Sequence, residues 1–157
     1  MNDTSSNSKN GNVILMAEDD ADDRLLAKDA LGECNLASEL HFVENGEELL
    51  DYLLQRGKFN AANAPRPGLI LLDLNMPRKD GREVLSEIKA DPSLRRIPVV
   101  VLTTSRADTD IQRIYELGAN SFITKPVRFE ALVDVMRVLG MYWFKTVELP
   151  APSQTYG

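Results

Sequence analysis

The chain has 157 residues, of which 43% are apolar and 27% charged, and this is enough for one domain with a buried core. Its net charge of −6 and its lack of a basic block argue against a nucleic-acid-binding protein. No apolar run approaches the ~20 residues that a membrane span needs, and no signal peptide opens the chain. Cys34 is the only cysteine, so an internal disulfide is excluded and the cytoplasm is the expected compartment.

Short apolar runs alternate along the chain with segments of helical periodicity. Residues 1–12 contain Met1 as their only large apolar side chain and are expected to be disordered. The runs that follow predict five strands: VILMA (13–17), ELHFV (39–43), LILL (69–72), PVVVL (98–102) and SFIT (121–124). The alternation predicts a doubly wound α/β domain with a parallel sheet over residues 13–145, followed by a C-terminal extension over 146–157.

Acidic side chains stand where the first and third predicted strands end. The first strand leads into Glu18, Asp19 and Asp20, and the third into Asp73. If these strands are neighbours, the carboxylates meet at one edge of the sheet, where they either raise one another's pKa or hold a cation. Oxygen ligands favour a hard ion, with Mg²⁺ first. The alternative is that residues 18–23 only form an acidic helix N-terminus, which the helix dipole favours.

Two further polar residues end the fourth and fifth strands. Thr103 closes the fourth, and Lys125 follows the fifth. A hydroxyl, an ammonium, a metal and an ionised carboxylate at one sheet edge are the parts of a phosphoryl-transfer site. Asp73 can act there as the nucleophile, while Mg²⁺, Lys125 and Thr103 hold the oxygens of the transferred group.

Together these motifs resemble the receiver domain of two-component response regulators. The resemblance covers about residues 12–145 and rests on the acid pair after the first strand, LLDLNMPRKDG (71–81), VVVLTTS (99–105) and the Lys-Pro pair at 125–126. It implies a five-stranded flavodoxin-like sheet in the order 2-1-3-4-5. It also implies that Asp73 takes a phosphoryl group from a sensor histidine kinase.

The resemblance assigns a metal to the acidic residues. Glu18 and Asp19 would hold Mg²⁺, or Mn²⁺ or another divalent ion in its place. Asp19 and Asp73 would be direct ligands, and Glu18 would act through water. The backbone carbonyl of Asn75 would supply another metal contact.

The resemblance also assigns roles to the residues around the acceptor. Lys125 would form an ion pair with the phosphoryl group, and its bond to Pro126 is expected to be cis. Asp80 and Gly81 would close the loop after the acceptor and begin the next helix.

A conformational switch is implied at two positions. Thr103 can move to bond the phosphoryl group, and Phe122 matches the family's aromatic switch position, from which it could rotate into the space left behind. The alternative for Phe122 is an ordinary core or surface aromatic. A phenylalanine there also lacks the hydroxyl that a tyrosine would offer.

The last predicted helix, over residues 128–144, is apolar on most of its surface. The charged residues Glu130, Asp134 and Arg137 form one narrow stripe along it. Because a sheet covers only one face of a helix, a second apolar face is left to be buried. We interpret it as a homodimer or partner interface formed with the C-terminal extension. The alternative is that the extension folds back over the helix within the monomer.

A long segment before the third strand narrows the resemblance. This segment, LLQRGKFNAANAPRPG (53–68), together with Glu18 as the first acid and VELP (147–150), closely resembles the phytochrome-associated single-domain regulators of cyanobacteria and other bacteria. The resemblance implies a bacteriophytochrome or a similar light-sensing histidine kinase as the phosphodonor. Other sensor kinases pair with similar small regulators.

Competing functions make different demands on the same residues. A phosphohydrolase of the haloacid dehalogenase kind needs a second Asp two positions after the nucleophile, where this chain has Asn75. We therefore expect no enzymatic activity beyond phosphotransfer to Asp73 and its slow hydrolysis. A phosphorylation-independent adaptor would keep only the fold, and the complete set of site residues argues against it. A phosphorelay intermediate that passes the group to a histidine phosphotransfer protein fits every residue named. A DNA-binding regulator is not expected, because no helix-turn-helix segment follows residue 145.

Overall fold

The computed structural model describes residues 13–34, 39–103 and 108–143, without the side chains of 108–110. Strands and helices alternate along these residues as the sequence predicts. The strands are β1 (Val13–Ala17), β2 (Glu39–Val43), β3 (Leu69–Leu72), β4 (Val99–Thr103) and β5 (Ser121–Thr124). The helices are α1 (Ala21–Glu33), α2 (Gly46–Leu54), α3 (Gly81–Ala90), α4 (Asp108–Glu116) and α5 (Phe129–Met141).

The five strands form one parallel sheet in the order β2-β1-β3-β4-β5, which confirms the predicted architecture. Every residue of β1, β3 and β4 is buried, because helices cover both faces of the sheet. β4 starts one residue later than the apolar run that predicted it, and it ends at Thr103 as expected. Pro98 has no N–H to donate to the ladder, so the strand begins at Val99 and ends at Thr103.

Two apolar cores lie on opposite faces of the sheet. One joins the sheet to α2, α3 and α4, and the other joins it to α1 and α5. Alternate residues of β1 divide between them: Leu15 packs in the first core, while Ile14 and Met16 pack in the second. This layering brings the carboxyl ends of β1, β3, β4 and β5 to one edge of the sheet.

Helix α5 is shorter than the predicted helix of residues 128–144, and Phe144 lies outside the described residues. Its buried face packs against the sheet and α1. Three apolar side chains at its carboxyl end are exposed, namely Val138 at 64%, Met141 at 50% and Tyr142 at 49%. The predicted second apolar face is therefore confined to this end of the helix.

Two predictions about chain ends fall on residues that the structure does not describe. These are the disorder of residues 1–12 and the packing of the extension over 146–157. Within the described ranges, no helix combines the length and the apolar character that a membrane crossing requires.

Candidate phosphoacceptor and metal site

The hydrogen-bond ladder of the sheet continues one residue past the strands that carry the site. The N–H of Asp73 donates to the carbonyl of Ala17 at 3.2 Å, and the N–H of Glu18 donates to the carbonyl of Val43 at 2.9 Å. The N–H of Lys125 donates to the carbonyl of Thr103 at 2.8 Å. The backbone of each residue is thus fixed by a neighbouring strand, which holds the side chains at defined positions.

Three carboxylates meet at this edge, as the sequence predicts. Glu18, Asp19 and Asp73 each offer an oxygen within 4.8 Å of the others. As whole residues, Glu18 is only 1% exposed and Asp73 only 7%, whereas Asp19 is exposed. The two buried acids therefore face one another with little water to screen their charges.

Both carboxylate oxygens of Asp73 have hydrogen-bond donors. The Thr103 hydroxyl donates to Oδ1 at 3.0 Å, and the Asn75 N–H donates to the same oxygen at 3.1 Å. The Lys125 ammonium lies 3.3 Å from Oδ2. These donors fix the orientation of the carboxylate, which can act as a nucleophile.

Lys125 is the cation of the site. Its Nζ lies 2.6 Å from Glu18 Oε1, 3.1 Å from Asp23 Oδ2 and 3.3 Å from Asp73 Oδ2. Burial lowers the pKa of the Lys125 ammonium, but its hydrogen bond with Glu18 and the charges of Asp73 and Glu18 outweigh burial and raise the pKa overall. Lys125 is therefore charged at neutral pH.

Glu18 is the carboxylate whose charge is most strongly disfavoured. Burial raises the pKa of Glu18 to about 7, against the opposing effect of the Lys125 ammonium. The negative charge of Asp73 adds to the rise, and the N–H of Asp20, which donates to Glu18 Oε2 at 3.2 Å, opposes it. A second cation beside Glu18 would favour its ionised form.

The donor set fits a divalent metal ion. It consists of carboxylate oxygens, which are the ligands of Mg²⁺ and Mn²⁺, and contains no histidine or thiolate. A single ammonium shared among three carboxylates leaves net negative charge at a largely buried edge. Glu18, Asp19 and Asp73 can therefore hold a divalent cation.

Comparison with known proteins assigns the family. A model of the family described as "Response regulator receiver domain" matches residues 14–137. The chain is a member of the receiver domain family.

Two known proteins are similar to this chain over most of its length. Response regulator Rcp1 of Synechocystis sp. is 45% identical over 139 residues, which are 88% of this chain and 93% of Rcp1. Probable methanogenesis regulatory protein FilR2 of Methanothrix harundinacea is 37% identical over 142 residues, which are 90% of this chain and 89% of FilR2.

Solved structures agree with the fold. The Mn²⁺-bound form of Rcp1 has a TM-score of 0.80 at 44% identity and aligns over 89% of this chain and 99% of that chain. The phosphorylated cyanobacterial phytochrome response regulator RcpA has a TM-score of 0.82 at 45% identity, with the same coverage. These likenesses confirm the five-stranded receiver fold.

The loop after Asp73 is closed by two residues of the receiver motif. The Asp80 carboxylate accepts a hydrogen bond from the N–H of Arg82 at 2.7 Å and so caps α3. A Cβ on Gly81 would lie 2.7 Å from the Asp73 carbonyl oxygen and 2.8 Å from the Leu74 Cα. Only glycine allows α3 to begin so close to the acceptor, as the motif predicts.

One local prediction about Lys125 is wrong. No peptide bond among the described residues is cis, so the bond between Lys125 and Pro126 is trans. The trans form is favoured by about 0.5–1 kcal/mol before proline. The lysine ammonium reaches both Glu18 and Asp73 with the bond in this form.

The acidic run after β1 has two separate tasks. The Asp20 carboxylate accepts hydrogen bonds from the N–H groups of Asp22 at 2.8 Å and Asp23 at 3.1 Å, and thereby caps α1. The interpretation of this run as a helix N-terminus is thus correct for Asp20, and the metal interpretation fits Glu18 and Asp19. Sequence reasoning missed Asp23, whose contact with Lys125 depends on the orientation of the first turn of α1.

The predicted switch residue Phe122 is partly buried and packs against the core on the α2, α3 and α4 face. Its backbone N–H donates to the hydroxyl of Tyr115 at 3.0 Å. The Tyr115 hydroxyl of α4 therefore contacts the backbone of position 122. No motif in the sequence pointed to Tyr115.

Proposed function

We propose that Asp73 accepts a phosphoryl group from a phosphohistidine of a sensor histidine kinase. One observation carries this proposal: a largely buried Asp73 receives the Thr103 hydroxyl on one oxygen and the Lys125 ammonium on the other. Glu18 and Asp19 lie beside it within 4.8 Å. This is a nucleophile surrounded by groups that bind the oxygens of a phosphoryl group.

The chemistry is a transfer between two side chains. A carboxylate oxygen of Asp73 forms a bond to phosphorus as the bond from phosphorus to the imidazole nitrogen of the donor breaks, and the electron pair stays on that nitrogen. Lys125 then pairs with one phosphoryl oxygen, and the Thr103 hydroxyl turns from Asp73 to donate to another. Phe122 follows Thr103 and passes the change to the surface formed by α4 and β5.

We assign Mg²⁺, replaceable by Mn²⁺, to Glu18, Asp19 and Asp73, with the backbone carbonyl of Asn75 as a further ligand. The bound ion would neutralise negative charge on the phosphoryl oxygens during transfer. Carboxylate chemistry and the unbalanced charge around Lys125 support this assignment. Mn²⁺ in the similar structure of Rcp1 supports it independently.

The first experiment is incubation with acetyl phosphate and Mg²⁺, followed by intact-mass measurement and Trp143 fluorescence. We expect a mass increase of one phosphoryl group that requires Mg²⁺ and disappears in Asp73→Asn. Asp22→Asn is a matched control on the exposed first turn of α1 and should be phosphorylated like the wild type. A wild-type protein that gains no mass under these conditions would contradict the assignment of Asp73.

We infer a phytochrome-type histidine kinase in the cytoplasm as the phosphodonor. Similarity to RcpA, a cyanobacterial phytochrome response regulator, supports it. The test is transfer from a radiolabelled bacteriophytochrome kinase, compared with a sensor kinase of another class under the same conditions. We expect transfer to be complete in minutes from the first and much slower from the second. Equal rates would refute the phytochrome assignment and leave phosphorylation of Asp73 intact.

The proposed output is a protein–protein contact of α5, with a second copy of the chain as the partner, in place of DNA binding. The exposed side chains Val138, Met141 and Tyr142 support it, since three large apolar groups lie together at one end of the helix. Light-scattering mass should report a dimer, and Val138→Asp should convert it to a monomer. Ala131→Asp, on the exposed surface nearer the start of the helix, is the control. A monomer at all concentrations, with and without phosphoryl donor, would exclude the dimer.

Two other functions have distinct signatures. If the protein is an adaptor, the wild type and Asp73→Asn should bind the partner with the same affinity. A relay intermediate would lose its label to a histidine phosphotransfer protein within minutes. Asn75 stands where a haloacid-dehalogenase-type phosphohydrolase needs an acid, and its N–H donates to Asp73, so we propose no further enzymatic activity.

A further inference from the structure

Lys125 has one partner that the proposed phosphotransfer does not use. An ammonium has three hydrogens, and three carboxylates surround Nζ: Glu18 at 2.6 Å, Asp23 at 3.1 Å and Asp73 at 3.3 Å. Glu18 and Asp73 belong to the cluster that can hold the metal. Asp23 comes instead from the first turn of α1.

The position of Asp23 is fixed by the cap of that helix. Its N–H donates to the Asp20 carboxylate at 3.1 Å, which holds the first turn against the end of β1. The Asp23 side chain is 36% exposed, compared with 1% for Glu18 and 9% for Asp73. Water therefore supports the charge of Asp23 whether or not the lysine is bound, which is not true of the two buried acids.

The other two contacts of Lys125 must change during the proposed reaction. A metal held by the acidic cluster would compete with the ammonium for Glu18 and Asp73, and a phosphoryl group on Asp73 would draw the ammonium to its own oxygens. Asp23 is required by neither the metal nor the phosphoryl group. It can hold the lysine beside the entrance of the site while the other two partners are exchanged, and the flexible lysine side chain allows this movement.

We propose that Asp23 is a positioning residue that tethers the Lys125 ammonium to α1, so that the lysine is in reach of the phosphoryl group when the acidic cluster releases it. This inference rests on the proposed function, because it gives Lys125 its partner in phosphotransfer. It also has a consequence that does not depend on phosphotransfer. Without Asp23, the ammonium of the metal-free protein is less restrained and more accessible to reagents.

The test compares Asp23→Asn with Asp22→Asn. Both variants remove one negative charge from the same helical turn, but no side-chain hydrogen bond or ion pair joins Asp22 to another described residue. The first readout is the rate at which an amine-acylating reagent labels Lys125, followed by peptide mass spectrometry in EDTA. The second is the rate of phosphorylation by acetyl phosphate at saturating Mg²⁺.

We expect Asp23→Asn to label Lys125 about three- to fivefold faster and to be phosphorylated about three- to fivefold more slowly, the upper part of the range for losing a partly exposed ion pair. Asp22→Asn should stay within about twofold of the wild type in both. Asp23→Glu, which restores the carboxylate on a longer side chain, should recover part of both effects.

Three results would overturn the inference. If Asp23→Asn and Asp22→Asn changed both rates equally, the effect of Asp23 would be one of general charge. If Asp23→Asn did not change the rate of Lys125 labelling, Asp23 would not restrain the ammonium. Faster labelling with an unchanged phosphorylation rate would leave a tether with no positioning role. A wild-type protein that is not phosphorylated at all would instead refute the proposed function, and the labelling experiment would still report on the contact.

Discussion

Strand β3 is flanked by two connecting segments, one before it and one after it, that are stabilised in opposite ways. Before the strand, neutral hydrogen bonds hold the part-buried groups of residues 55–68, whereas the ion pairs of Arg56 with Asp51 and of Lys58 with Glu48 involve largely exposed cations. The Tyr52 hydroxyl donates to the carbonyl of Pro65 at 2.8 Å, and the Gln55 amide donates to the carbonyl of Ala64 at 3.1 Å. These contacts satisfy backbone groups and add stability.

After the strand, charged groups are packed together at the sheet edge. Glu18 and Asp73 are both buried, and Lys125 is shared between them. Removing such charges from water costs free energy that their attraction only partly returns. The residues that stabilise the fold and the residues that react therefore lie at opposite ends of β3. Substitutions at the first connection should change folding alone, whereas changes at the second should affect phosphorylation as well.

The largest effect is expected for Gly81→Ala, which should damage both properties at once. The added Cβ would lie 2.7 Å from the Asp73 carbonyl oxygen, so the loop after the acceptor must move. Overpacking of this kind should lower the free energy of unfolding by about 2–3 kcal/mol and slow phosphorylation. Urea denaturation and acetyl phosphate kinetics measure the two effects.

The control is Gly32→Ala in α1, where nothing lies within 4 Å of the new Cβ. There the change should stabilise the protein by about 0.5–1 kcal/mol, because alanine is the better helix former. Equal effects of the two substitutions would show that the close approach of Gly81 to the acceptor strand has no energetic weight.

The cost of the buried charges should appear as a dependence of stability on pH. Burial raises the pKa of Glu18 to about 7 from its ordinary 4.5. The folded protein therefore binds this proton more tightly than the unfolded chain, and the resulting stability is lost as the pH rises through about 7. In EDTA, the free energy of unfolding should fall by about 2 kcal/mol between pH 5 and pH 8.

Two variations sharpen this measurement. Glu18→Gln should remove most of the fall in the free energy of unfolding between pH 5 and pH 8. Saturating Mg²⁺ should reduce this fall in the wild type, because a cation favours the ionised carboxylate. A fall of the same size in Glu18→Gln would assign the pH dependence to other groups.

The hydrogen bonds that hold the segment before β3 can be tested without changing the charged residues of the site. Tyr52→Phe leaves the Pro65 carbonyl without its donor in a position where the tyrosine is 2% exposed. We expect a loss of about 1.5 kcal/mol in the free energy of unfolding and an unchanged rate of phosphorylation. Tyr142→Phe, at a half-exposed tyrosine, should change neither quantity. A slower phosphorylation of Tyr52→Phe would contradict the separation of the two connections.

The sequence predicted the architecture and the members of the site for the same physical reason. Apolar runs such as LILL before Asp73 are buried on both faces of a parallel sheet, and parallel strands place their ends at one edge. The contact of Asp23 with Lys125 was not predictable in this way, because it depends on the angle at which α1 leaves the sheet. The trans bond before Pro126 was also missed, since both isomers are accessible to a bond of this type.

The smallest effect is expected at the outer edge of the sheet, where charge and packing both matter little. In Tyr115→Phe the N–H of Phe122 loses its acceptor, but β5 is an edge strand and water can replace the hydroxyl. The free energy of unfolding should fall by about 0.5 kcal/mol. Phosphorylation, which depends on groups at the carboxyl ends of the strands, should proceed at the wild-type rate, and the fluorescence response of Trp143 to phosphorylation tests whether the switch still transmits. A loss of more than about 1.5 kcal/mol in the free energy of unfolding would mean that the Tyr115 contact stabilises the protein as much as the Tyr52 contact before β3. The contrast between the stabilising and the reactive end of the sheet would then be wrong.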